Sequence, residues 1–367
     1  MTAKGPVLLV DIGSASVGVC IAELNRGGVP VISRTRRVEI ENSSGQGMTA
    51  LVPLALAALK KALAEVAVVS PAPRSAQVVL AAPWYKAAIS VINSDSEKPV
   101  RIAKSGIEKA LAGYTEKNAA TSVPGRKTIE SVATETYVDG YPTAVSQPVR
   151  GSAIAIDYYE SQADAPFVSG VEEELRRNFN GVTTEFHSFL FAAYAALRAL
   201  RDETGFVMLD VGGEITDLAI VHRGGFSFAG SFPFGALSLA RAVASGRTLA
   251  DATSRMSLSM QGELSPEEEA SFRESFKKAA VGWNDGYRML LESAALEVPV
   301  PHTTFLIADK EPLAWFERIL ADSSGPFPIH PILLSPDFFK NAILLGAEGS
   351  YDVFLSIAAF YALHVRH

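Results

Sequence analysis

Two stretches of this chain, about 200 residues apart, spell the same pattern. Val7–Val31 reads VLLVDIGSASVGVCIAELNRGGVPV and Phe206–Phe228 reads FVMLDVGGEITDLAIVHRGGFSF. Each gives an apolar run, then Asp-x-Gly, then small or polar residues and a second apolar run. A third run is entered through Arg-Gly-Gly, at Arg26-Gly27-Gly28 and Arg223-Gly224-Gly225. Glycine pairs between β-rich runs are hairpin signals. The duplication predicts two similar domains, each opening on a β-meander.

Helical spacing follows each meander, at Met48–Val66 and Gly235–Ala244, so both halves alternate strands with helices in an α/β architecture. Ser265-x-x-Glu268 is a capping box that starts a helix running towards Glu297, with Gly282 or Gly286 as candidate breaks. Between the repeats the texture changes. Lys86–Asn93 predicts a strand, Ala103–Lys117 a helix, and Lys127–Val138 with Gly151–Tyr159 two strands joined through Asp139-Gly140 and Pro142. This is a small α+β insert. Phe167–Asn180 and Ser188–Arg201 predict helices leading into the second repeat, and Ser350–His364 closes the chain as a helix.

Composition narrows the function classes. A net charge of -7 and a pI near 5.5, with no basic stripe, argue against nucleic acid as a partner. The single cysteine, Cys20, allows no disulfide within the chain and fits a reducing compartment. Met1–Gly5 leads straight into Val7–Val10 with no signal-peptide pattern, and no stretch of about 18 apolar residues is free of Pro, Gly or charge. The expected location is therefore cytoplasmic.

A strand that ends in Asp and runs through Gly and Ser or Thr into a tight hairpin points backbone N–H groups at an anion. Gly13 and Gly212 are expected to supply positive φ and close approach. Ser14, Ser16 and Thr216 are candidate hydrogen-bond donors to phosphate. Asp11 and Asp210 are candidates to hold water around a hard divalent ion. Two such turns facing each other would pinch the phosphates of a nucleotide between the domains. No GxxxxGK[ST] or GxGxxG pattern competes.

Asp11–Ser16 resembles the phosphate-1 motif, and Asp210–Ile220 the phosphate-2 motif, of actin-like ATPases. Lys127–Gly140, Pro148 and Gly151–Tyr159 resemble the 1C (SHS2-type) subdomain shared by FtsA and PilM proteins. Phe232–Arg255 continues the likeness, and Glu214 in the second turn is closer to PilM than to FtsA. The resemblance implies an actin-like (ribonuclease H-like) duplicated fold: subdomain 1A at 1–85 and 158–205, the insert at 86–157, 2A at 206–246 and 301–346, 2B at 247–300, and a helix returning to 1A at 347–367. It also implies ATP and Mg²⁺ as ligands, with Gly213 and Gly235 beside the phosphates and Glu185 orienting water. Read without the resemblance, Glu185 is a helix cap or a solvated turn.

Two departures from the family stand at the nucleoside end. Thr253 and Met256 occupy positions where FtsA carries Glu and Lys, and Ala308-Asp309-Lys310-Glu311-Pro312 replaces an expected Gly-Gly pair. ATP binding is thus expected to be weak or absent. The resemblance favours a PilM-like scaffold of a type IV pilus or related envelope machine, held at the membrane by a cytoplasmic peptide of a bitopic protein. The chain ends at YALHVRH, so no amphipathic membrane anchor is expected of it. An FtsA-like division protein, a filament former and a phosphotransferase of the same fold are the alternatives.

Overall fold

The first repeat folds into β1 (Val7–Ile12), β2 (Ser16–Glu23) and β3 (Val31–Glu39), followed by α1 (Met48–Val66) and β4 (Ser75–Leu80). The computed structural model describes residues 5–24, 28–40, 47–67, 71–119, 124–144, 147–244, 246–322 and 330–364; Arg26 and Gly27 of the first Arg-Gly-Gly turn lie outside them. The insert comprises β5 (Tyr85–Ile102), α2 (Lys104–Ala119), β6 (Arg126–Val138), β7 (Tyr141–Pro142) and β8 (Val149–Asp164). Next come α3 (Ala165–Asn178), β9 (Thr183–Ser188) and α4 (Phe189–Leu200). The second repeat is β10 (Phe206–Val211), β11 (Thr216–His222) and β12 (Gly225–Phe232), with α5 (Ala236–Ala244), α6 (Leu249–Gln261), α7 (Pro266–Ala295), β13 (Thr303–Ile307), α8 (Lys310–Asp322) and β14 (His330–Leu333). A 3-10 turn at Pro336–Phe339, β15 (Leu344–Leu345) and α9 (Val353–His364) end it.

The repeat seen in the letters is a repeat in hydrogen bonding. β1 runs antiparallel to β2 and parallel to β4, and β10 stands in the same way to β11 and β13. Asp11 and Asp210 each occupy the last position but one of their strand. Arg223 and Gly224 both take positive φ, 53° and 90°, as a type I′ hairpin turn requires. The sheets are ordered β15-β3-β2-β1-β4-β9 and β12-β11-β10-β13-β14, with a third, β5-β8-β6-β7, in the insert.

Strand alternation decides how the halves meet. Phe206 and Met208 of β10 join the core of the first half, while Val207, Leu209 and Val211 pack with α5, α7 and α8 on the other face. The second sheet is thus buried on both sides, and Phe206 and Met208 give the halves an apolar contact. At the C-terminal end, Leu334, Phe339 and Ile343 lie in the first core and Leu344 pairs with Val31. The chain therefore crosses back near residue 334, earlier than the expected 347.

Helix α7 carries its capping box at Ser265 and Glu268 but does not break at either glycine. A Cβ on Gly286 would lie 2.5 Å from the Phe232 ring, and one on Gly282 would lie 3.1 Å from Phe234. These glycines admit aromatic rings against an unbroken helix.

The insert is not a detached lobe. Its strands run longer than their apolar patterning suggests, because only their basal ends are buried. Tyr85, Tyr159 and Ala163 belong to the main core, while a small separate core of Ile102, Ile107, Val138 and Ile156 fills the outer part. The second half also grips the insert directly. Arg223 Nη2 donates to Gly140 O at 2.6 Å, and Phe226 N donates to Thr134 Oγ1 at 3.1 Å. Here Asp157 accepts from Tyr137 Oη at 3.1 Å and lies so close to Gly225 that a Cβ there would be 2.1 Å from Oδ2.

Burial raises the Asp157 carboxyl to about 6, against the lowering effect of the Tyr137 bond. A raised carboxyl stabilises the fold only while protonated, so its contribution is complete below pH about 4 and lost as the pH rises through 6. Asp157→Asn has no such loss. Urea midpoints measured from pH 4 to 7 should shift in the variant's favour as the pH rises.

Candidate functional site

The two Asp-x-Gly turns face each other at the inner ends of β1 and β10. Each closes with the same bond, Gly13 N to Ser16 O and Gly212 N to Ile215 O, both 3.0 Å. Neither Gly13 nor Gly212 takes positive φ, contrary to the expectation from the motif. Glycine is needed in the second turn for proximity instead. A Cβ on Gly213 would lie 2.7 Å from Ala15 Cβ, and one on Gly212 would lie 3.0 Å from Ile215 O. Across the gap, Glu214 N donates to Ser14 Oγ at 3.0 Å. The turns touch.

Of the side chains proposed as phosphate donors, Thr216 donates within the protein, while Ser14 and Ser16 accept hydrogen bonds there. Thr216 Oγ1 donates to Phe234 O at 2.7 Å and accepts from Trp283 Nε1 at 3.0 Å. Ser16 Oγ accepts from Arg37 Nη1 at 2.8 Å. Gly235 stands where α5 meets the second turn, and Ala236 N and Leu237 N donate to Gly212 O and Gly213 O, both at 2.8 Å. Those helix N-terminal amides point at the turn's own carbonyls. Glu214 pairs with Arg241.

The buried carboxylates surround one arginine. Arg37 Nη2 lies 3.0 Å from Asp11 Oδ2, while Nε and Nη2 bond Asp352 Oδ2 and Oδ1 at 2.6 and 2.9 Å. Burial raises Asp11 to about 7, with Arg37 pulling the other way. Asp352 is buried too, yet Arg37 outweighs that and holds it below the ordinary carboxylate range. Asp210 has no such cation. Burial, then the charges of Asp217, Asp11 and Asp309, push it well above the usual range. Asp217 is raised to about 7 by burial and accepts from Tyr85 Oη at 2.8 Å.

Beside the turns opens a cleft of about 960 Å³ lined by Ser16, Arg37, Glu39, Gly212, Gly213, Thr253, Asp309, Lys310 and Trp315, among others. Thr253 sits on its wall with its hydroxyl bonded back to Leu249 O at 2.9 Å. Met256 does not reach the cleft; it is fully buried in the second core. Ala308 is also buried.

No protein-family model and no curated protein matches the sequence. Among solved structures, a chain of the PilM-PilN type IV pilus biogenesis complex superposes with a TM-score of 0.64 at 16% identity, covering 99% of this chain and 98% of that one. The ethanolamine utilization protein EutJ from Carboxydothermus hydrogenoformans gives 0.45 at 11% identity, covering 98% and 89%. A Bacteroides thetaiotaomicron protein with an actin-like ATPase fold gives 0.41 at 10%, covering 97% and 96%. The fold is actin-like and is shared over the whole length with the chain of the PilM-PilN complex. At these identities the likeness is one of architecture.

Within this actin-like fold, the expected Mg²⁺ and phosphate groups do not match the residues as arranged. Asp11 Oδ2 is bonded to a guanidinium, and the buried side-chain oxygens of this site left without a hydrogen-bond partner among the described residues are Asp11 Oδ1 and Asp210 Oδ1. Glu185 lies elsewhere. It sits within β9, paired with Gln77 of β4 and accepting from Gln77 Nε2 at 3.0 Å, outside the cleft wall. At the strand-to-helix junction proper, Ser188 N donates to Glu130 Oε2 at 3.1 Å, and the neighbouring His187 contacts Tyr361 Oη at 3.1 Å. That junction ties the insert and α9 to the first sheet. The sequence reading missed Arg37 and Asp352. The available signals were an arginine near the end of the third meander strand and an Asp directly before the last helix.

Among the described residues no helix is long and apolar enough to cross a membrane.

Proposed function

We propose that this chain is a PilM-like actin-fold scaffold of a type IV pilus or related envelope assembly machine, working by binding rather than by turnover. The observation that carries this reading is the state of the cleft. Thr216 donates to Phe234 O and the α5 amides donate to the second turn's carbonyls, so these donors, which would grip phosphate, are bonded to other protein groups. A hydrogen-bonded buried donor must lose one partner to gain another, so a ligand gains little there. The whole-length likeness to a chain of the PilM-PilN complex supports the pilus role over others. The partner is a cytoplasmic peptide of a bitopic membrane protein, which holds the chain at the inner face of the membrane.

The test uses labelled synthetic peptides covering the cytoplasmic tails of bitopic proteins from the same cell's pilus and division machines, titrated by fluorescence polarisation. One pilus tail is expected to bind with roughly micromolar affinity, about -8 kcal/mol. Binding by a division-protein tail alone would sink the pilus assignment. Steady Mg²⁺-dependent ATP hydrolysis that disappears in Asp210→Ala would sink the scaffold reading.

A further inference from the structure

We infer that the Arg37 guanidinium is the resident cation of the cleft, bonded to the carboxylate that the first Asp-x-Gly turn would offer to a divalent metal, so that this chain's cleft excludes Mg²⁺. The inference goes beyond the proposed function and does not depend on which partner the chain binds.

The arrangement is built into the sheet. Asp11, Gly18 and Arg37 are cross-strand neighbours in one row over β1, β2 and β3. The middle residue is glycine, and a Cβ there would lie 2.5 Å from Arg37 Nη2 and 2.9 Å from Cζ. Only a residue without a side chain lets the arginine lie across its neighbour and reach the carboxylate of the third strand. The guanidinium is then fixed from its other side. Asp352 takes two of its N–H groups in a forked pair, Ser16 takes a third, and Phe354 lies beneath with its ring centre 5.0 Å from Cζ.

Asp11 and Ser16 are two of the groups that the Asp-x-Gly turn would offer to a metal's water shell and to phosphate, and one cation holds both. A guanidinium does not lose its proton in the accessible pH range, so the charge is permanent. A divalent ion approaching Asp11 meets a fixed like charge in a desolvated place. To clear the site, Arg37 must leave Asp11, Ser16 and Asp352 together. Asp352 also accepts from Leu355 N at 3.0 Å, so that move disturbs the start of α9.

The experiment is an Mn²⁺ titration of the full chain followed by electron paramagnetic resonance, with Mn²⁺ as the probe for a hard divalent ion. Wild type is expected to bind no Mn²⁺ at the cleft. Arg37→Met keeps a long side chain over Phe354 without the charge, and should bind one Mn²⁺ at least about tenfold tighter than wild type. Adding Asp11→Asn should abolish that gain. If circular dichroism shows Arg37→Met unfolded, Arg37→Met with Asp352→Asn removes both members of the forked pair and should gain the same site. A wild-type Mn²⁺ site lost in Asp11→Asn overturns the inference. So does a folded charge-free variant that binds no Mn²⁺.

Discussion

Asp352→Ala should destabilise the protein by about 3–5 kcal/mol, because it removes one partner of a buried pair and leaves the other charged. Arg37 retains Asp11, but the forked contact and the bond from Leu355 N to Asp352 Oδ1 both vanish. The second loss is that of a helix N-cap, worth about 1 kcal/mol by itself. Urea unfolding followed by circular dichroism measures the sum. Adding Arg37→Met to Asp352→Ala removes the half-paired guanidinium but leaves Asp11 without its cation, so it should recover only part of the loss. The pH dependence has a definite sign. Asp352 is held below its ordinary value, so its contribution is complete above pH about 4 and lost as the pH falls through its folded-state pKa. The gap between wild type and Asp352→Ala should therefore close in acid.

Gly235→Ala, a single methyl group, is expected to cost about 3–5 kcal/mol. Its Cβ would lie 2.3 Å from Gly212 O, 2.6 Å from Gly213 O and 2.7 Å from Gly213 C, all backbone atoms that cannot swing aside. Helix α5 must lift from the second turn. That breaks the bonds from Ala236 N and Leu237 N, each worth about 0.5–1.5 kcal/mol, in addition to overpacking strain of about 1–3 kcal/mol. Gly13→Ala provides the control. The nearest atom to its Cβ is Ser16 O at 3.5 Å and φ is not positive, so the cost should stay below about 1 kcal/mol. Equal losses at the two glycines would show that turn flexibility, and not the seating of α5, sets the cost.

The contrast between those two glycines shows how far the letters alone could be read. Both halves of the repeat, their hairpins and the capping box at Ser265 were legible, because strand alternation, turn chemistry and helix caps act within about ten residues of chain. The same local signals placed Asp11 and Asp210 at matching strand positions. They did not reveal that the turns are in contact, or that Gly13 and Gly212 keep ordinary φ. A glycine-rich loop reads the same whether its space is filled by phosphate or by Ala15.

Glu185 and Met256 show the same limit. The resemblance implies a water-orienting role for Glu185, whereas its pairing with Gln77 places it inside the strand and outside the cleft wall. Met256, at a position aligned with a ligand-facing one, turns into the core. Helical and strand spacing specify which residues share a face, whereas the direction of that face depends on what packs against it.

Arg37 and Asp352 lie 315 positions apart. Their pairing follows from the return of the last segment to the first sheet, where β15 joins β3 and α9 packs on α4 and β1. No local pattern encodes such a contact, because the attraction that offsets desolvating the two charges exists only once both ends of the chain meet in one buried place. Periodicity and turn residues specify the two halves and their hairpins. The occupant of the cleft between them is settled by the long-range fold, which brings an arginine and a carboxylate from opposite ends of the chain into one buried place.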